Sequence, residues 1–93
     1  MQPQINTMKI SVELTLTPLK SDYVVTIKHF IKGLRKTGFK VIETPLSTQI
    51  YGDYESVMAS LLPLVKATFE DEEAVMLHLK LVKRDRSAYE PDF

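Results

Sequence analysis

Cysteine is absent from these 93 residues, which removes disulfides, thiolate metal sites, cysteine nucleophiles and thiol switches at once. Glycine is scarce and scattered. Gly33, Gly38 and Gly52 stand far apart, so there is no glycine-rich loop to cradle a phosphate. Two histidines, His29 and His78, are too few to support a catalytic triad or a metal site by spacing. Neither sign of charge is in excess: twelve Lys+Arg balance twelve Asp+Glu. That argues against nucleic acid or an anionic membrane as a partner held mainly by charge. It also leaves self-association without a strong electrostatic barrier. No apolar run approaches the ~18 residues of a membrane span. The opening residues Met1–Thr7 (MQPQINT) lack the basic and apolar regions of a signal peptide. A cytoplasmic protein with no membrane and no nucleic-acid partner is the expectation.

What is present is the composition of an ordinary globular chain, 44% hydrophobic and 26% charged. The length suits one domain, 1–93, with a folded core over about 8–84 and short polar tails.

Residues 8–17 alternate strictly. Met8, Ile10, Val12, Leu14 and Leu16 face one way, and Lys9, Ser11, Glu13, Thr15 and Thr17 the other, as in a half-buried strand ended by Pro18. Ser21 is a candidate helix cap with Asp22 in the first turn. Val24, Ile27, Ile31 and Leu34, widened by Val25 and Phe30, form an apolar stripe opposite Lys28, Lys32, Arg35 and Lys36. Gly38 stops this helix, and Gly33 inside it implies close helix packing. Strands over 39–44 and 47–52 follow at hairpin separation. Asp53 then caps a second helix with the stripe Val57, Met58, Leu61, Leu62, Val65 and Phe69. Pro63 lies within that stripe, and because the apolar phase continues beyond it the proline predicts a bend rather than an end. The acidic run 70–73 reads as a solvated connection to a last alternating strand over 74–82. The tail 83–93 is mostly polar, with Tyr89 and Phe93 its large apolar groups.

Strand, helix, strand, strand, helix, strand predicts an α+β, ferredoxin-like βαββαβ fold: a four-stranded antiparallel sheet with both helices on one face. Many functions occupy this architecture. An RNA-recognition module needs base-stacking rings on its open face, where strand one offers Ser11, Glu13 and Thr15. Metal carriers of this shape need paired cysteines. An acylphosphatase-like site needs a catalytic asparagine, and the sole one is Asn6, outside the folded region. Strand parity places Ser11, Glu13, Thr15, Gln49, Tyr51, His78 and Lys80 together on the open face. Two readings of that cluster stand: a solvated cross-strand Glu13–Lys80 pair, or a polar small-molecule site covered by another subunit.

Leu14-Thr15-Leu16-Thr17-Pro18-Leu19, then Pro45-Leu46-Ser47-Thr48-Gln49-Ile50-Tyr51-Gly52-Asp53-Tyr54 and Val57, with Leu79-Lys80-Leu81 and Arg84 beyond, resembles the YkoF-like thiamine-binding family. The match runs in register from about Met8 to Arg84. It departs at Thr15, where serine is usual, at Thr17, and at Val82, where some members have glycine. The resemblance implies a non-enzymatic module that binds thiamine or its hydroxymethylpyrimidine moiety at an oligomer interface, assembled as a dimer of dimers. The implied ligand residues are Glu13, Thr15, Ser47, Thr48, Gln49, Tyr51, His78 and Lys80, with no metal, no catalytic residue and no cofactor beyond that ligand. An oligomeric scaffold without a small ligand is the alternative, and an enzyme assembled between subunits is a third possibility.

Overall fold

A computed structural model describes residues 8–93, so the reading of Met1–Thr7 and Asn6 lies outside the described residues. Six elements follow in order: β1 (Lys9–Pro18), α1 (Tyr23–Arg35), β2 (Lys40–Glu43), β3 (Thr48–Asp53), α2 (Tyr54–Asp71) and β4 (Val75–Lys83). The strands form one antiparallel sheet in the order β2-β3-β1-β4, the ferredoxin-like arrangement. No helix among the described residues is long and apolar enough to cross a membrane.

The alternation of β1 decides the two faces. Ile10, Val12, Leu14 and Leu16 are buried, and with Ile50 of β3 they meet Phe30 and Leu34 of α1 and Val57 and Leu61 of α2. Register then carries the parity across the sheet, because directly opposed residues share a face. Leu14 lies opposite Thr48 on one side and Leu79 on the other, and Glu13 lies opposite Gln49 and Lys80.

The helices sit in a slightly different phase from the one their apolar residues suggest. In α1 the buried positions are Thr26, Phe30 and Leu34, while Val24 and Val25 are exposed. In α2 they are Val57, Leu61 and Thr68, while Leu62 and Phe69 are exposed. Two threonines occupy core positions because each hydroxyl has a partner, which removes most of the cost of burying it. Thr68 Oγ1 donates to the Leu64 carbonyl at 2.9 Å, and Thr26 Oγ1 donates to Glu72 Oε1. Glu72 is therefore not part of a solvated run. It closes α2 as its C-cap, half-buried, and also meets Lys20 Nζ at 2.9 Å. The Thr26 hydrogen bond, then Lys20, holds its carboxyl below the usual range.

The start of α1 also differs from expectation. Asp22, not Ser21, occupies the cap position, and no side chain caps the first turn. Its other end is as expected, with Gly38 at φ +83° and Lys32 and Arg35 in the last turn. Arg35 there forms a two-pronged pair with Glu43 of β2, at 2.6 and 2.7 Å. Gly33 faces α2 so closely that a Cβ would lie 2.6 Å from Leu64 Cδ1, which accounts for glycine in mid-helix. α2 runs through Pro63 without a break to Asp71.

Candidate functional site

On the open face, two rows of side chains cross the sheet in register. One runs Ile42, Gln49, Glu13, Lys80, and the next runs Lys40, Tyr51, Ser11, Val82. Glu13 is at the centre of the sheet because β1 is flanked by β3 and β4. Its Oε2 accepts the Ser47 hydroxyl at 3.0 Å, and Lys80 Nζ stands 3.6 Å from Oε1. Ser47 Oγ in turn accepts from Gln49 Nε2 at 3.0 Å, so three side chains from the hairpin and β1 orient one another.

Ser47 is placed by the hairpin's own chemistry. The loop between β2 and β3 closes on Thr44, whose N–H donates to the Ser47 carbonyl at 2.9 Å. Thr44 Oγ1 accepts from the N–H of Ser47 at 3.1 Å. A small polar residue that bonds its own backbone is the usual means of fixing such a turn. The loop thereby holds the Ser47 hydroxyl over Glu13.

Two shallow basins adjoin at the Glu13–Lys80 pair. One, of about 420 Å³, is lined by Glu13, Thr15, His78, Leu79 and Lys80. The other, of about 260 Å³, is lined by Glu13, Gln49, Tyr51, Lys80 and Val82, and is bounded by Arg86. Burial, with the charges of Asp85 and Glu13, raises the Tyr51 phenol above its ordinary pKa, so it stays protonated and can donate.

Seven of the eight residues read from the sequence, Glu13, Thr15, Ser47, Gln49, Tyr51, His78 and Lys80, thus share this face. Thr48 does not. As a neighbour of Ser47 on an extended strand it must point the other way, and it is buried opposite Leu14 on the helix face. There it lines a cleft of about 160 Å³ between α1 and the hairpin loop, with Ile27, Phe30 and Leu46, which Thr15 and Ser47 also border. Thr48 therefore lies on the opposite face of the sheet from Glu13.

Sequence reasoning missed the role of the tail. After β4 the chain turns through Arg84 at φ +80° and returns over the open face. Arg84 N–H donates to the Lys9 carbonyl at 2.6 Å. Ser11 Oγ donates to the Arg84 carbonyl and accepts from Arg86 N–H, both at 2.8 Å. Ser11 was visible as a polar-face residue, but nothing local announced partners more than seventy residues away. Among the described residues, no group of three or more His, Asp or Glu is placed to hold a metal ion.

No family model matches the sequence, and no curated protein matches it. Solved structures do resemble the fold. A Thermotoga maritima protein named as a "putative thiamine biosynthesis/salvage protein" superposes with a TM-score of 0.71 at 21% identity, covering 78% of this chain and 81% of that one. A Streptococcus pneumoniae protein gives 0.74 at 22% identity, covering 81% and 86%. A Bacillus cereus domain of unknown function (DUF77) gives 0.70 at 14%, covering 84% and 78%. At these identities the likeness is one of fold alone.

Proposed function

We propose that this chain is a non-catalytic small-molecule-binding protein. Its ligand is thiamine or the hydroxymethylpyrimidine moiety, taken at Glu13 on the open face of a homo-oligomer. The carrying observation is a carboxylate fixed at mid-sheet with acceptor capacity to spare. An ionised carboxylate offers about four acceptor positions; Ser47 occupies one, and Lys80 is an ion-pair neighbour at 3.6 Å. An aminopyrimidine presents N–H donors that such a group accepts, while the Tyr51 phenol and the Gln49 amide supply complementary partners. The name carried by the Thermotoga maritima neighbour favours the same ligand chemistry. Hydroxyl, amide and phenol groups dominate the face, which suits recognition rather than bond cleavage.

Self-association is supported by β4. It is a nine-residue edge strand with Met76, Leu79, Leu81 and Val82 exposed, apolar on both faces. Such an edge is a template for pairing with another chain. The expected solution mass is a multiple of the 10.6 kDa protomer, with a tetramer as the intended assembly. Light scattering at micromolar concentration that returned the protomer mass would overturn this part.

The binding reading is tested by calorimetry and thermal shift with thiamine and hydroxymethylpyrimidine. A ligand at one hundred times its Kd adds about 2.7 kcal/mol to the folded state. That corresponds to a rise in midpoint of roughly 4–8 °C per kcal/mol for a domain of this size. Glu13→Gln keeps the shape and removes the charge. Affinity should fall about ten- to a hundred-fold with the loss of a charge-assisted hydrogen bond. An unchanged Kd takes Glu13 out of the site. No shift with either compound returns the chain to the oligomeric-scaffold reading, in which the open face is only an interface.

A further inference from the structure

The basin beside Tyr51 has an unbalanced charge. Two cations, Lys80 and Arg86, line it against the single carboxylate of Glu13. Lys80 lies within 3.6 Å of Glu13, so that pair is close to neutral as it stands. Arg86 is the surplus. Among the described residues its guanidinium makes no ion pair and no hydrogen bond, and it lies exposed at the rim.

Its backbone, in contrast, is tightly held. The Ser11 hydroxyl, itself buried, accepts from the Arg86 N–H and donates to the Arg84 carbonyl, so one side chain near the start of β1 sets the course of the segment 84–86, a strap over the sheet. The Tyr89 N–H closes a turn onto the Arg86 carbonyl at 3.1 Å. Asp85, the acid nearest in the chain, bears on Tyr51 but is itself engaged. It accepts from the Ser87 N–H at 2.8 Å and faces the charges of Lys40 and Lys9. The protein has thus anchored a guanidinium without a side-chain partner among the described residues at the edge of a polar basin, while the neighbouring anion faces Lys40 and Lys9 as well as Tyr51.

We propose that Arg86 is a specificity-determining ligand contact, and that the basin takes a phosphate monoester of the aminopyrimidine, ring at Glu13 and phosphate at Arg86. This rests on the open face being the ligand site. A phosphate monoester carries about −1.5 to −2 charge at neutral pH, which the surplus cation offsets, and guanidinium matches phosphate oxygens in a fork that an ammonium cannot form. A basin of about 260 Å³ falls just below the usual range of about 300–1,000 Å³ for drug-sized ligands, which suits one ring and one phosphate. Ser11, which also borders the basin, acts as a positioning residue through its two hydrogen bonds to the strap.

The test compares Kd values for hydroxymethylpyrimidine and its monophosphate, by calorimetry on the whole chain. Wild type is expected to bind the monophosphate at least about ten-fold more tightly than the free alcohol, as a charge-assisted pair would give. Arg86→Gln should abolish that preference while leaving the affinity for the alcohol within about two-fold. Ser11→Ala should reduce the preference in the same one-sided way, whereas a merely structural role would weaken both compounds alike. Equal binding of the two compounds by wild type overturns the inference and leaves the pyrimidine site intact. A preference that survives Arg86→Gln overturns it equally. Binding of neither compound removes the site and the inference together.

Discussion

Leu61→Ala is expected to cost about 2–5 kcal/mol, whereas Leu62→Ala, one residue on, should cost only a few tenths. Leu61 has no exposed surface, and Leu62 retains 55%. Truncating Leu61 removes buried methyl groups and leaves a void between α2 and the sheet that the surrounding Val12, Ile50 and Val57 can fill only in part. For a domain of this size the loss corresponds to roughly 4–8 °C in midpoint per kcal/mol. Thermal or urea unfolding of the two variants side by side gives the answer. Equal effects would mean that a second subunit covers Leu62, or that the phase of α2 is wrong.

Gly52→Val is the second large effect. Valine favours strands by propensity, so a scale of preferences alone would rank this change as stabilising. The structure reverses the sign. A Cβ at Gly52 would lie 2.8 Å from Phe39 Cδ1 and 3.0 Å from Val57 Cγ2, before the two further methyl groups are added. Val57 is fully buried in the first turn of α2, directly after β3, and has no room to retreat. Overpacking of this kind costs about 1–3 kcal/mol, and the displacement would also move the end of β3 that carries Tyr51. The expected result is a lower midpoint in urea with an unchanged slope. A gain in stability would show that Phe39 swings out freely.

The two leucines and the glycine also show where the sequence was legible. Period-two alternation in β1 is unambiguous, because a one-residue slip would turn every leucine to solvent. It settled both faces of the sheet and, through register, the grouping of Glu13 with Gln49 and Lys80. A helical stripe is less decisive. Adjacent residues lie only about 100° apart, and a broad stripe has edges that fall on either side of the contact line. Hence Leu61 and Leu62, or Val24 and Thr26, could not be told apart without knowing where the neighbouring helix lies. Reading the acidic run 70–73 as solvated misplaces Glu72 for the same reason, and its partner Thr26 gives no local signal. Each looks solvent-bound alone, and they explain one another only across 46 residues of chain. Thr48 was a different error, since strand parity relative to Ser47 already set it on the opposite face.

The position of β1 has a consequence for how the chain is made. Its pairing with β4 is the longest in the sheet, nine residue pairs against six with β3. Yet β4 spans Val75–Lys83 and follows the other five elements in the chain. A nascent chain that has emerged as far as α2 must keep one whole edge of its central strand unpaired until β4 has also left the ribosome. Such long-range pairing slows folding and prolongs the exposure of strand edges. Ser11 cannot acquire its partners until later still, when Arg84 and Arg86 have followed. The strap therefore settles after β4, and a polypeptide stalled or cut before residue 84 would lack it, leaving the Ser11 hydroxyl without either of these contacts.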